Sequence, residues 1–205
     1  MAEEIGLIID IEHWVIEQVG QQLARWKTQP QHANSFISIN LSGKHIAQPT
    51  QLNELVKKIK QCIAEPQRLI LEFTERAFSH SSHEQLMHSM RKLKKLGVKL
   101  ALDDYGSGLS SLNFINNYSF EFIKLDKSFI KTLNTSAKNL ALVGSLTQLG
   151  NNFGFRIVAE GIENKDVMDK LKSVGCEYGQ GYFISTPAHI KQDKSDDDAD
   201  IASCA

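Results

Sequence analysis

Lys99-Leu100-Ala101-Leu102-Asp103-Asp104-Tyr105-Gly106-Ser107-Gly108 decides how this chain is read. An apolar run ends in two adjacent carboxylates, and a Gly-x-Gly turn follows at once. The run predicts a buried parallel strand, and the glycines let the backbone turn sharply just past the acids. Neighbouring aspartates at the mouth of such a strand repel each other and lose hydration, a cost that something must offset. A divalent cation does so most simply, because hard cations such as Mg²⁺ take carboxylate oxygens. For this stretch alone a solvated Asp-Asp-x-Gly turn explains the residues equally well, since Asp and Gly are common turn formers.

Recurrence on either side shifts the balance. Upstream, Ile5 to Trp26 carries a helical apolar repeat (Leu7, Ile8, Ile11, Trp14, Val15, Val19, Leu23), with Trp14 and Trp26 read as packing residues. Phe36 to Leu41 alternates as a strand ending at Asn40, and Leu52, Leu55, Val56, Ile59 and Ile63 give an amphipathic helix closed by Glu65-Pro66. Leu69 to Glu75 is the next strand, followed by a helix through Leu86, Met90, Leu93 and Leu96 that stops at Gly97. Downstream come a short helix over Ser110 to Tyr118, the strand Phe122 to Asp126 and a helix over Leu140 to Asn152. The strand Phe155 to Glu160, a helix capped by Asn164 and the segment Tyr178 to Phe183 complete the alternation. This is the grammar of βα units in a parallel sheet or barrel.

Strand after strand ends in a polar group: Asn40, Glu72, Asp103 with Asp104, Lys124 with Asp126, Glu160, Gln180. In a (β/α) barrel the strand C-termini share one mouth, where such folds place their chemistry. Any one of these residues is adequately explained by loop hydrogen bonds, but the whole series is not.

The oxygen donors Asn40, Glu72, Asp103, Asp104 and Glu160, with no His or Cys at a strand end, favour Mg²⁺ or Mn²⁺ over zinc. Several carboxylates suit two ions, which lower the pKa of a bridging water and neutralise phosphoryl charge. Lys124 is placed to orient that water or to stabilise developing negative charge, and Asp126, two residues on, is expected on the same strand face. Metal-assisted phosphodiester hydrolysis fits best. His80, His83 and His88 are read as solvated.

Composition narrows the setting. Lysine and arginine number 23 against 24 acidic residues, so no global field argues for DNA or an anionic membrane. No apolar run is long enough to span a bilayer, and Glu3 and Glu4 stand where a secretory signal would be basic. Cys62, Cys176 and Cys204 are scattered, as for reduced thiols in a cytoplasmic protein. Residues 1–190 suit one domain with a substantial core, and residues 191–205 read as a disordered acidic tail.

Asn40-Leu41-Ser42, Glu72-Phe73-Thr74-Glu75, Asp103 to Gly108, Ile123 to Ile130, Val158 to Glu163 and Gln180-Gly181-Tyr182 together resemble, in order, the signature blocks of EAL domains. These are bacterial second-messenger phosphodiesterases, or degenerate receptors, for cyclic di-GMP. The resemblance runs from Ala2 to Pro187. It implies a TIM-like (β/α) barrel of EAL type that linearises cyclic di-GMP to pGpG with two Mg²⁺ or Mn²⁺ ions. By the same resemblance, Asn40, Glu72 and Asp103 would bind one ion, and Asp103, Asp104 and Glu160 the other. Lys124 would position the hydrolytic water, Gln180 would support the site, and Glu75 would anchor the loop Tyr105 to Ser111, which also shapes a homodimer contact. Tyr105, Ser107 and Leu109 replace the more usual Phe, Thr and aromatic residue.

The Glu-Ala-Leu motif that names the family is absent from the sequence. The resemblance therefore implies a barrel incomplete at its N-terminus, lacking two strands, with exposed strand edges and a first ion short of one charged ligand. A displacement of ~1 Å can cost ~10²-fold in rate, so weak or absent hydrolysis is expected from this polypeptide. The competing expectations are a catalytically inactive EAL-like receptor for cyclic di-GMP or a protein partner, and a metal-dependent hydrolase of another phosphoester. Sensory or GGDEF domains are expected upstream in a longer parent, whose cytoplasmic part this chain would be.

Overall fold

The computed structural model describes residues 7–78, 81–106, 115, 117–134 and 136–188. Expectations for His80, Ser107, Leu109, Cys204, most of the Ser110 to Tyr118 helix and the tail at 191–205 lie outside them. The chain forms two compact units, Met1–Lys124 and Leu125–Ala205.

In the first unit, helix α1 (Ile8–Trp26) precedes strand β1 (Ile37–Asn40), and the short α2 (Lys44–Ala47) and α3 (Pro49–Cys62) lead into β2 (Leu69–Thr74). Helix α4 (His83–Lys94) then leads into β3 (Lys99–Tyr105), and β4 (Phe122–Leu125) begins at the end of the unit. The strands β1, β2 and β3 pair in parallel, with Asn40 opposite Glu72, Glu72 opposite Ala101 and Thr74 opposite Asp103. Their apolar runs are buried: Leu69, Leu71, Leu100, Leu102 and Ile123 are fully enclosed. Pro49 starts α3, where its missing N–H costs nothing. Ser82 caps α4 by accepting from the Gln85 N–H at 3.2 Å.

One sequence expectation fails on α1. Leu7, Ile11 and Trp14, members of the apolar repeat, are 50%, 46% and 59% exposed, while Glu12, Ile16, Val19 and Leu23 face inward. The helix is rotated because Glu12 finds buried hydrogen-bond donors and because Gly20 lies against α3. A Cβ on Gly20 would sit 2.2 Å from the Cys62 carbonyl oxygen. Trp26, the last residue of α1, stacks on His32 of the following segment at 4.5 Å between ring centroids.

The second unit contains α5 (Lys127–Lys131), α6 (Ala137–Phe153), β5 (Arg156–Glu160), α7 (Lys165–Ser173) and β6 (Tyr178–Gln180). Strands β5 and β6 are parallel, with Glu160 opposite Gln180. Val143, Ile157, Ala159 and Leu171 pack in the core of this unit. Asn164 caps α7 through the Val167 N–H at 3.0 Å, as its place before the apolar repeat predicts.

Candidate active site

Register explains how the first unit gathers its donors. Paired residues on parallel strands face the same way, and residues two apart on one strand share a face. Asn40 pairs with Glu72, and Glu72 pairs with Ala101, two residues before Asp103. Asn40, Glu72 and Asp103 therefore occupy one face at the C-terminal ends of β1, β2 and β3. Asn40 is exposed, whereas Glu72 and Asp103 are buried.

Lys124, itself buried on β4, reaches both acids. Its Nζ lies 2.8 Å from Glu72 Oε2 and 3.0 Å from Asp103 Oδ1. Two buried carboxylates so close would repel strongly without a cation, and the ammonium between them relieves that repulsion. The acids are thus arranged to grip positive charge.

Asp104 breaks the strand alternation. Its φ of +56° is left-handed, and its N–H donates to Asp103 Oδ1 at 3.0 Å. Such a backbone costs an L-residue roughly 1–2 kcal/mol, less for Asp, whose short polar side chain bonds locally. The turn keeps a carboxylate oxygen of Asp104 within 4.8 Å of one on Asp103 instead of sending it to the opposite face. Gly106 follows with φ +94°, which a residue with a Cβ would resist.

Glu75 opens the 3-10 turn Glu75–Phe78 directly after β2. Tyr105 lies within its electrostatic reach: burial first, and the Glu75 charge second, push the Tyr105 hydroxyl above its usual pKa. Residues 107–111 of the loop assigned to Glu75 by resemblance lie outside the described residues.

In the second unit Gln180 donates through Nε2 to Glu160 Oε1 at 2.7 Å, following the register of β5 and β6. Gly181, just beyond, allows close passage: a Cβ there would lie 2.2 Å from the Ile162 carbonyl oxygen. Asp126 differs from its sequence reading. It stands past the end of β4 and caps α5, where its Oδ1 accepts from the Ser128 N–H at 2.8 Å. The Ser128 hydroxyl and then its backbone N–H hold the Asp126 carboxyl below its ordinary range. His83 and His88 are exposed, as expected.

Sequence reasoning missed Glu12 and His45. Glu12 lies one helical turn before Ile16 on the inward stripe of α1, and a charge in that position is the signal that was available.

Parallel β/α units with oxygen-bearing side chains and a lysine at the strand ends define an α/β protein with a polar strand-end face. The EAL domain family matches residues 1–187, and the chain belongs to it. It is 34% identical over 187 residues to the oxygen sensor protein DosP of Escherichia coli, covering 91% of this chain and 23% of that protein. It is 30% identical to the bifunctional diguanylate cyclase/cyclic di-GMP phosphodiesterase MucR of Pseudomonas aeruginosa, covering 94% and 28%. The chain thus spans about a quarter of the length of these relatives. Among solved structures, the PaMucR phosphodiesterase in complex with c-di-GMP matches with TM-score 0.80 at 31% identity, over 91% of this chain and 74% of that one. A manganese and cyclic di-GMP complex of BlrP1 from Klebsiella pneumoniae matches with TM-score 0.74 at 25% identity, over 87% and 44%. The fold is that of these TIM-like EAL domains, and no described helix is long and apolar enough to cross a membrane.

Proposed function

We propose that the chain is the phosphodiesterase part of a bacterial signalling protein, hydrolysing cyclic di-GMP to linear pGpG with two divalent ions, Mg²⁺ or Mn²⁺. The observation that carries this reading is the grip of Lys124 on Glu72 and Asp103, a buried carboxylate pair built around positive charge. The donor set fits hard cations: carboxylates and one amide, with neither sulfur nor imidazole. Asn40, Glu72 and Asp103 would hold one ion, and Asp104 and Glu160 would complete the ligand set. When bound, the ions lower the pKa of the attacking water and offset charge on the phosphoryl oxygens.

The protein's own groups then have separate tasks. Lys124 presents its ammonium to the attacking water and to developing negative charge. Gln180 holds a Glu160 oxygen in place, and by the family resemblance Glu75 would anchor the loop that starts at Tyr105. A related bifunctional diguanylate cyclase/cyclic di-GMP phosphodiesterase, and related structures holding c-di-GMP and manganese, support cyclic di-GMP as the ligand and manganese as an ion of the site. Residues 1–190 would act as the EAL-type domain with 191–205 as a tail, in a cytoplasmic homodimer whose longer parent carries sensory or GGDEF domains.

The second reading is that of a receptor which binds cyclic di-GMP and cleaves it slowly or not at all. Incubation with cyclic di-GMP and Mn²⁺, with pGpG followed by chromatography, tests both. Turnover to pGpG that Glu72→Ala or Asp103→Ala abolishes is the expected result. Unchanged turnover in either variant rejects the ligand assignment. Calorimetric binding without product supports the receptor.

A further inference from the structure

The buried carboxylate of Glu12 lies on α1, outside the strand-end face, and nothing in the proposed reaction uses it. A buried acid costs several kcal/mol unless it is paired and hydrogen-bonded, and here the partners are specific. Glu12 Oε1 accepts the Ser42 backbone N–H at 2.5 Å. Glu12 Oε2 lies 2.8 Å from Nε2 of His45, a fully enclosed residue of α2, and 3.5 Å from the Ser42 hydroxyl. His45 is held in turn by the Gln51 carbonyl, 3.4 Å from its Nδ1.

Ser42 is two residues past Asn40. Asn40 is exposed at its strand end, so the backbone that leaves it, more than side-chain packing, fixes where its amide sits. That backbone is held at two successive peptides. The Leu41 N–H donates to the Glu72 carbonyl at 2.9 Å, and the Ser42 N–H donates to Glu12. The next residue, Gly43, is pressed against the turn that starts at Glu75: a Cβ on it would lie 2.3 Å from the Ala77 carbonyl oxygen.

We propose that Glu12 is a positioning residue which, braced by His45, pins the Ser42 peptide and so sets the Asn40 amide for divalent-metal binding. The inference rests on the reading of Asn40, Glu72 and Asp103 as metal ligands. It adds a residue that touches neither metal nor substrate and acts through one backbone N–H. Partners that orient metal ligands in this way typically change affinity by ~10–100-fold when removed.

Mn²⁺ binding to the purified 205-residue chain, read from the electron paramagnetic resonance of free Mn²⁺, tests it without recourse to activity. Glu12→Gln retains an acceptor for the Ser42 N–H, and Ser42→Ala removes only the distant hydroxyl, so both should bind within about twofold of the wild type. Glu12→Leu keeps the volume but leaves the N–H without an acceptor and should bind roughly tenfold more weakly. If circular dichroism shows that Glu12→Leu does not fold, Glu12→Asp takes its place. It withdraws the oxygens by one methylene and should also weaken binding. Equal affinity in all folded Glu12 variants overturns the inference. Asp103→Asn separates the two layers: wild-type affinity in that variant removes the metal reading, and the role of Glu12 with it.

Discussion

At the scale of single residues, Lys124 is the balance point of the site. Its ammonium is the cation found between Glu72 and Asp103, and all three side chains are about nine-tenths buried or more. Removing one partner of a buried charged group is expensive because it leaves the other charges uncompensated. Lys124→Met should therefore destabilise the protein by about 3 kcal/mol in the presence of a chelator. Added Mn²⁺ should restore more stability to this variant than to the wild type, since the ion takes over the neutralising role. Thermal melts with and without Mn²⁺ check this, and a variant that melts like the wild type in chelator would contradict the electrostatic account. Asp103, Glu72 and Lys124 were legible in the sequence because each interrupts an apolar run where it ends. Glu12 was not singled out, because a lone acid in an amphipathic helix looks solvated until its partners, Ser42 and His45, are seen around it.

At the scale of elements, the βα alternation could be read from apolar spacing, and the caps at Ser82 and Asn164 from side-chain chemistry. Phase and boundaries were harder. Helix α1 has apolar residues on more than one side: the repeat read from the sequence holds Val19 and Leu23, which are buried, together with Leu7, Ile11 and Trp14, which are exposed, and it leaves out the buried Ile16. Gly20 against Cys62 and the partners of Glu12 set the buried side. Asp126 looked like a strand residue because it follows the run Phe122 to Leu125, yet the chain has already turned into α5 there. As an N-cap it stabilises its helix, and Asp126→Ala should cost about 1 kcal/mol, with Asp126→Asn largely neutral at pH 7. The folded-state carboxyl is held below its ordinary range, so its contribution is full above about pH 4 and fades as pH falls through the folded value. Urea midpoints of the wild type and Asp126→Ala should therefore converge in acid. A gap that widens there would contradict the capping role.

At the scale of the whole molecule, parallel pairing of β1 with β2, of β2 with β3 and of β5 with β6 is what buried apolar strands joined by helices demand. Family membership agrees with that reading across residues 1–187. The division into two compact units left no mark in the sequence, since it falls inside an apolar strand and no Pro- or Gly-rich linker announces it. The left-handed turn at Asp104 was equally silent, because an Asp-Asp pair reads the same whether or not the second acid breaks the alternation. The functional account depends on oxygen donors that the register places on one face. Crystals of the chain grown with Mn²⁺, measured at the manganese absorption edge, test that most directly. The account predicts an anomalous peak in contact with carboxylate oxygens of both Glu72 and Asp103, with the Lys124 ammonium displaced from between them. Saturating Mn²⁺ with no peak at those two side chains, and Lys124 still bridging them, would contradict it.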